Sequence, residues 1–407
     1  MTTSIGKPTL MDMFRPEWSD DPYRFYAAHR AVRPLFWDEF LRTWVVLDHA
    51  TISALLKDDR LSCSRVREFH DRLPPDSRNR MAPLARTLVD MMVFNDPPRH
   101  RRLRKLPKSG FIPRHVREIR ELIERTAGEL VAELPVAGEF DVVADYAKPL
   151  TRRMIATMTG VSDDILHLLE DWKGLSHEFF VQSDAEIGRI TALRQAFDEG
   201  LPVRRAGTGT DLFSRMIAEQ LRADDYTDDE LFANWLLLID AGLSTTTYLL
   251  ANAVQALLRH PDQLAELLDD PALMPGAVHE LMRYDSSVLY TTRVARSDLA
   301  VRDRRIAAGE SVTLVLAAGN RDPERYPEPD RLDLRRKAND NLSLGHGVHY
   351  CLGSAFALAE IEIGLAKLLE GVPGLRAVPH RPRWLQSINF RFLQRLPVAV
   401  GPESGGS

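Results

Sequence analysis

The apolar positions of this chain recur mostly at three- and four-residue steps. Between His115 and Leu134, the residues Val116, Ile119, Ile123, Ala127, Leu130 and Leu134 share one stripe, which predicts an amphipathic helix. Thr227 followed by Glu230 has the form of a capping box, and no proline comes until Pro261, so one helix is predicted from about Asp228 to Arg259. At 1.5 Å per residue it would run about 48 Å. It is apolar over much of its circumference at positions 236–239 and 249–250, as a helix threading a core must be. Strand-like runs are short and scattered, at residues 44–47, 311–316 and 396–400. They do not alternate with helices, which argues against a doubly wound parallel sheet. The prediction is a mainly α architecture with small peripheral β-sheets (α+β).

The middle of the long helix breaks its own pattern. Ala241-Gly242-Leu243-Ser244-Thr245-Thr246-Thr247 places glycine and β-branched residues where a helix interior tolerates them poorly. Such a segment is either a close-packing site for another helix or a local kink where a ligand approaches backbone and threonine hydroxyls.

Composition narrows the class. The chain has 407 residues, 44% of them hydrophobic and 27% charged, enough to bury a large core and too apolar for disorder. Length alone suggests two or three domains. Fifty-three basic against fifty-eight acidic residues give a formal charge of -5, so no whole-chain cationic field exists to hold nucleic acid. The basic run of Arg99, Arg101, Arg102, Arg104, Lys105 and Lys108 is interrupted by Pro107, which disfavours a long basic recognition helix. No apolar stretch reads as a signal peptide or a membrane span. Two cysteines, Cys63 and Cys351, rule out a disulfide framework and fit a reducing cytoplasm. Cys63 reads as an ordinary residue.

Cys351 follows Leu344-Gly345-His346-Gly347-Val348-His349-Tyr350 and precedes Leu352-Gly353, ahead of an Ala/Leu/Glu-rich run. The two glycines at 345 and 347 imply a loop of unusual backbone conformation. The cysteine sits where a helix begins, a place where amides lower a thiol's pKa. Residue chemistry leaves four readings: a nucleophile, a zinc ligand with His346 and His349, a haem thiolate, or a small buried side chain.

This segment resembles the haem-binding loop of the cytochrome P-450 monooxygenases, Phe-Gly-x-Gly-x-His-x-Cys-x-Gly. Gly345, Gly347, His349, Cys351 and Gly353 match, and Leu344 replaces the usual phenylalanine. Other segments resemble the family's motifs in the same order. Asp96-Pro97-Pro98-Arg99-His100 continues to Arg104, Ala241-Gly242-Leu243-Ser244-Thr245-Thr246 is similar to Ala-Gly-x-Glu/Asp-Thr-Thr, and Glu280-Leu281-Met282-Arg283 to Glu-x-x-Arg. The set runs from about residue 21 to 400, which implies one cytochrome P-450 domain over residues 1–407. Residues 1–20 would be an extended N-terminal segment and 402–407 a frayed tail.

The resemblance implies that Cys351 is the axial thiolate on the iron of haem b, where an electron-rich sulfur favours O–O cleavage. It implies that His100, Arg104, Arg293 and His349 hold the two propionates as charge-assisted donors. Ala241, Leu344, Gly345 and Gly353 would line the haem, and Glu280, Arg283 and Arg331 would form a structural ion-pair network. Thr245 takes the alcohol position above the iron. Ser244 replaces the acid that usually precedes it, and Asp240 lies four residues earlier, so the ordinary proton route is altered. The substrate pocket would draw on Met91, Met92, Val93, Phe179, Phe180, Leu238, Val288, Leu289, Thr291, Ile388 and Phe390.

The implied activity is a cytoplasmic haem-thiolate monooxygenase that uses O2 to hydroxylate or otherwise oxidise a small hydrophobic organic molecule, in secondary metabolism or catabolism. An iron–sulfur ferredoxin and its NAD(P)H-dependent reductase would supply electrons, with Arg99, Arg102 and Lys105 steering the acidic ferredoxin. A peroxide-driven peroxygenase and a non-catalytic haem-binding protein are the other readings. Neither nucleic acid nor membrane is expected as a partner.

Overall fold

The computed structural model describes residues 9–169, 184–337, 340–385, 387 and 389–401. Its axis is the predicted long helix, Asp228–Arg259, a single assigned helix of 32 residues. The capping box closes as the sequence proposes: the Glu230 N–H donates to Thr227 Oγ1 at 3.1 Å and the Thr227 N–H to Glu230 Oε2 at 3.4 Å. Asp228, Asp229 and Glu230 in the first turn also favour the positive end of the helix dipole.

Two apolar clusters meet on this helix. Its first half carries Leu231, Phe232, Trp235, Leu236 and Ile239 into a core with helices Pro75–Asp90, Asp184–Ala206 and Leu212–Ala223. Its second half carries Leu249, Leu250, Val254 and Leu257 into a core with the predicted amphipathic helix, here Pro113–Glu133, and with Ser354–Gly371. The odd segment 241–247 lies between them. Gly242 lies in a close-packed place: a Cβ there would press on the end of the Ile155 side chain from helix Lys148–Thr159, which would have to turn aside. The hydroxyls of Thr245 and Thr247 donate to the carbonyls of Ala241 and Leu243, four residues back, at 2.6 and 2.7 Å.

The sheets are peripheral, as expected. Strands β1 (Leu35–Asp38), β2 (Thr43–Val46), β3 (Leu61–Ser62), β5 (Thr291–Ala295) and β8 (Ser311–Leu314) form one sheet in the order β1-β2-β8-β5-β3. Only β2 and β8 run parallel, with Val45 opposite Thr313. Antiparallel β5 and β8 place Arg293 opposite Val312. A second sheet, in the order β4-β10-β9, joins β4 (Gly138–Asp141), β10 (Pro397–Val400) and β9 (Arg376–Ala377), and β6 (Leu299–Val301) pairs with β7 (Arg304–Ile306). The N-terminal segment is not extended throughout. Leu10–Phe14 forms a 3-10 turn capped by Thr9, and Leu10 and Met13 are buried, because Asp38 accepts hydrogen bonds from Thr9 Oγ1 and the Leu10 N–H. The tail 402–407 lies outside the described residues.

Candidate active site

A cavity of about 1050 Å³ is lined by members of both apolar cores, Leu88 and Phe94 from one and Leu249 and Met282 from the other. Ala241, Thr245 and Leu249 line it at four-residue steps from the central helix, joined by Thr246. Ala241 is exposed although it sits mid-way along a helix that is mostly buried. Leu344, Gly345, His346, His349 and Cys351 also line the cavity, with Arg293 from β5.

Backbone conformations that side chains resist shape the cysteine loop. Gly345 and Gly347 have φ of 68° and 73°. A Cβ at Gly347 would also come within 2.9 Å of the Leu56 carbonyl oxygen, so the loop is pressed against the end of helix His49–Leu55. The Cys351 N–H donates to the Leu344 carbonyl at 2.9 Å and closes the loop. The helix that follows begins at Ser354, not at the cysteine. Burial pushes the Cys351 thiol up, against the opposing pull of the Gly353 N–H and the Arg104 guanidinium. The expected lowering at a helix start is therefore outweighed by desolvation.

The donors expected to hold an anion divide into two kinds. His100 and His349 face each other with ring centroids 4.1 Å apart. Burial holds His100 near pH 4 and His349 near 3, with the adjacent Arg104 adding to the first and His100 and Arg293 to the second. Both therefore favour the neutral imidazole in this structure, and a carboxylate brought against them would favour the charged form. The charge comes from arginine. Arg293 is buried and donates to Thr291 Oγ1 at 2.7 Å and the Thr292 carbonyl at 3.0 Å. Arg104 donates to the Tyr350 carbonyl at 2.6 Å and so braces the cysteine loop.

Two residues, Arg65 and Cys63, join this site with no role expected from the sequence, and Asp96, the first residue of its motif, makes contacts the motif does not spell out. Arg65 lines the cavity and donates to the Thr292 carbonyl at 2.6 Å. Cys63 is buried with Sγ 3.2 Å from His349 Nε2, so it fixes a ring rather than merely filling space. Asp96 accepts from the Cys63 N–H at 2.9 Å, from Ser62 Oγ and from Arg296, stitching β3 to the start of helix Arg99–Lys105. No local pattern marks Arg65 or Cys63; only the tertiary fold brings them to His349 and Arg293.

Other expected residues fall differently. Ser244 and Asp240 are not among the cavity-lining residues, nor are Met91, Met92, Leu238 and Leu289. Val93, Val288, Thr291 and Phe390 line it, while Phe179, Phe180 and Ile388 lie outside the described residues. Arg331 does not complete the ion-pair network. Its side chain is exposed and pairs with Glu328, while Arg336, 10% exposed, donates to Glu280 Oε1 at 3.1 Å. Arg283 grips Glu280 through two bonds of 2.6 and 2.7 Å. Arg99 and Arg102 are likewise not free to steer a partner, because both pair with Glu230 at the start of the central helix. The zinc reading of Cys351 fails geometrically. Among the described residues, the one cluster with metal-ligand spacing is Cys63, Asp96 and His349, without Cys351 or His346.

The comparisons agree with this geometry. The family model for cytochrome P450 matches residues 188–371. The biotin biosynthesis cytochrome P450 of Bacillus subtilis (strain 168) is 34% identical over 391 residues, covering 94% of this chain and 97% of that protein. The chain is a cytochrome P450. A vitamin D(3) 25-hydroxylase from Pseudonocardia autotrophica is 34% identical over 406 residues, 97% of each chain. The crystal structure of P450BioI in complex with hexadec-9Z-enoic acid ligated acyl carrier protein superposes with a TM-score of 0.86 at 32% identity, covering 95% of this chain and all of that one.

The cofactor of a cytochrome P450 is haem b, and the residues here fit it. The cavity is large, Ala241 lies bare in mid-helix on its wall, and the half-buried Cys351 thiol shares that wall. At its edge, cationic and imidazole donors suit propionates, and His100 Nδ1 is buried with no partner among the described residues. The P450 chain is an oxidoreductase of that type.

Proposed function

We propose that this cytochrome P450 is a monooxygenase that oxidises a small hydrophobic organic molecule. The observation that supports the reading is that Cys351, Ala241 and Thr245 line one cavity. Cys351 would hold the iron, Arg293 and His349 one propionate, and His100 and Arg104 the other. Haem b bound there supplies dioxygen activation with two electrons. The protein's part is to exclude water with the apolar wall of Val93, Val288, Leu249 and Phe390, and to present the Thr245 hydroxyl. That hydroxyl's hydrogen is engaged by the Ala241 carbonyl, so its lone pairs face the cavity as acceptors for a water or a substrate hydroxyl.

Electrons would come from an iron–sulfur ferredoxin and its NAD(P)H-dependent reductase in the cytoplasm, and residues 1–407 would make one domain. Peroxide-driven turnover is the second reading, favoured by Ser244 in the acid's place and by the absence of Ser244 and Asp240 from the cavity wall. The test is the carbon-monoxide difference spectrum of the reduced protein. A thiolate-type Soret band in the wild type, lost in Cys351→Ala, is expected; its absence from the wild type overturns the assignment. Turnover with hydrogen peroxide alone, compared with turnover with ferredoxin and reductase, separates the two readings.

A further inference from the structure

Arg65 follows β3 and reaches the same strand as Arg293. Both guanidiniums donate to the Thr292 carbonyl, Arg65 at 2.6 Å and Arg293 at 3.0 Å. Two cations thus share one acceptor in an enclosed place, and the repulsion between them has no carboxylate to relieve it. Among the described residues neither forms an ion pair. The single carboxylate on the cavity wall among the described residues, Glu68, is exposed and lies 4.0 Å from Arg72 instead. Arg65 rests over the Phe94 ring at 5.3 Å, which holds the guanidinium plane without neutralising it. Burial, and after it the Arg293 charge, lower Arg65 to about 10. It therefore remains charged at neutral pH, at an energetic cost that a bound anion would remove.

We propose that Arg65 is a carboxylate-binding residue, forming with the buried Arg293 a two-guanidinium clamp that is incomplete until a carboxylate enters the cavity. The planar, multiply donating group suits a carboxylate better than a lone cation would. Two sources share that chemistry: a propionate of the haem, on which this inference rests through the proposed function, and the carboxylate of a substrate. The motif resemblance places only His100, Arg104, Arg293 and His349 at the propionates, so Arg65 is an addition in either case.

The experiment begins with the wild-type holoprotein, whose carbon-monoxide spectrum must first establish thiolate-ligated haem; failure there overturns the proposed function and not the clamp alone. The rate of haem transfer to excess apomyoglobin is then measured for wild type, Arg65→Gln and Arg65→Lys. A propionate source predicts transfer faster by about tenfold in Arg65→Gln, the loss expected from one charge-assisted contact, with partial rescue by lysine. A substrate source predicts unchanged transfer. In that case the wild type binds myristic acid more tightly than methyl myristate, and Arg65→Gln erases the difference. Should Arg65→Gln fold poorly, Arg65→Lys, which keeps the charge but not the planar fork, is expected to give intermediate values on the same readouts. Wild-type transfer rates together with no Arg65-dependent preference for the acid overturn the proposal.

Discussion

At the scale of single residues, burial decides which of several similar side chains matters. Arg331 and Arg336 lie in one arginine-rich stretch, yet only Arg336 is drawn under the chain to Glu280 and to the Pro327 carbonyl. Arg336→Ala is expected to cost about 1.5–3 kcal/mol in denaturant unfolding, the range for hydrogen bonds to a charged group, whereas Arg331→Ala should stay within about 0.5 kcal/mol. Equal effects would contradict the network. The sequence could mark Glu280 and Arg283 because three-residue spacing on a helix is local. The third member lies 56 residues from Glu280, and nothing in the chain's pattern ranks 331 against 336. Glu360 offers a second case. Burial alone raises its carboxyl to about 8, and its Oε1 has no partner among the described residues. The folded state holds the proton more tightly than the unfolded chain, so this stability is present below about pH 4.5 and is lost as pH rises through 8. The slope is about 1.4 kcal/mol per pH unit between those limits. Glu360→Gln, which cannot ionise, should melt near wild type at pH 4.5 and above it at pH 8.5; parallel curves would refute the buried acid.

At the scale of elements, local signals set the long helix, its capping box and the positive-φ glycines of the cysteine loop, and all three were legible. The two glycines nonetheless do different work. At Gly345 a Cβ would have room, its nearest neighbour being 3.8 Å away, so Gly345→Ala carries only the left-handed backbone cost of about 1–2 kcal/mol. At Gly347 the Cβ would press on the Leu56 carbonyl as well, and backbone cannot move aside as a side chain can. Gly347→Ala is therefore expected to lose far more haem per protein than Gly345→Ala, measured by the pyridine haemochrome assay on purified protein. What stayed hidden were contacts between elements. The basic helix Arg99–Lys105 looks like a docking face in sequence, but it clamps the central helix through Glu230. Burial there would raise the Glu230 carboxyl, and the hydrogen bonds from Arg102 and Arg99 outweigh it and hold it low. The turn Leu10–Phe14 was missed because five residues are too few to show a period.

At the scale of the molecule, two apolar cores share one helix, and members of both line the cavity. A group that fills it ties the cores together and stabilises the fold by mass action. Removing haem by acid–butanone extraction should lower the apparent stability by about 4 kcal/mol where haem stands at a thousandfold its dissociation constant. The loss should appear in hydrogen exchange along residues 241–249 before it reaches the distant ends of the central helix. Uniform loss along the helix would argue that the cofactor does not bridge the cores. The cavity's place in sequence has a further consequence. Its wall begins at Met11 and is completed only at Phe390. During synthesis the growing chain thus carries a half-built, apolar hollow until nearly the last of these residues has emerged, and long-range closure of this kind is slow. Cofactor present when the last of these residues emerges would fill the hollow as it closes, so adding a haem precursor during expression is expected to raise the folded fraction recovered.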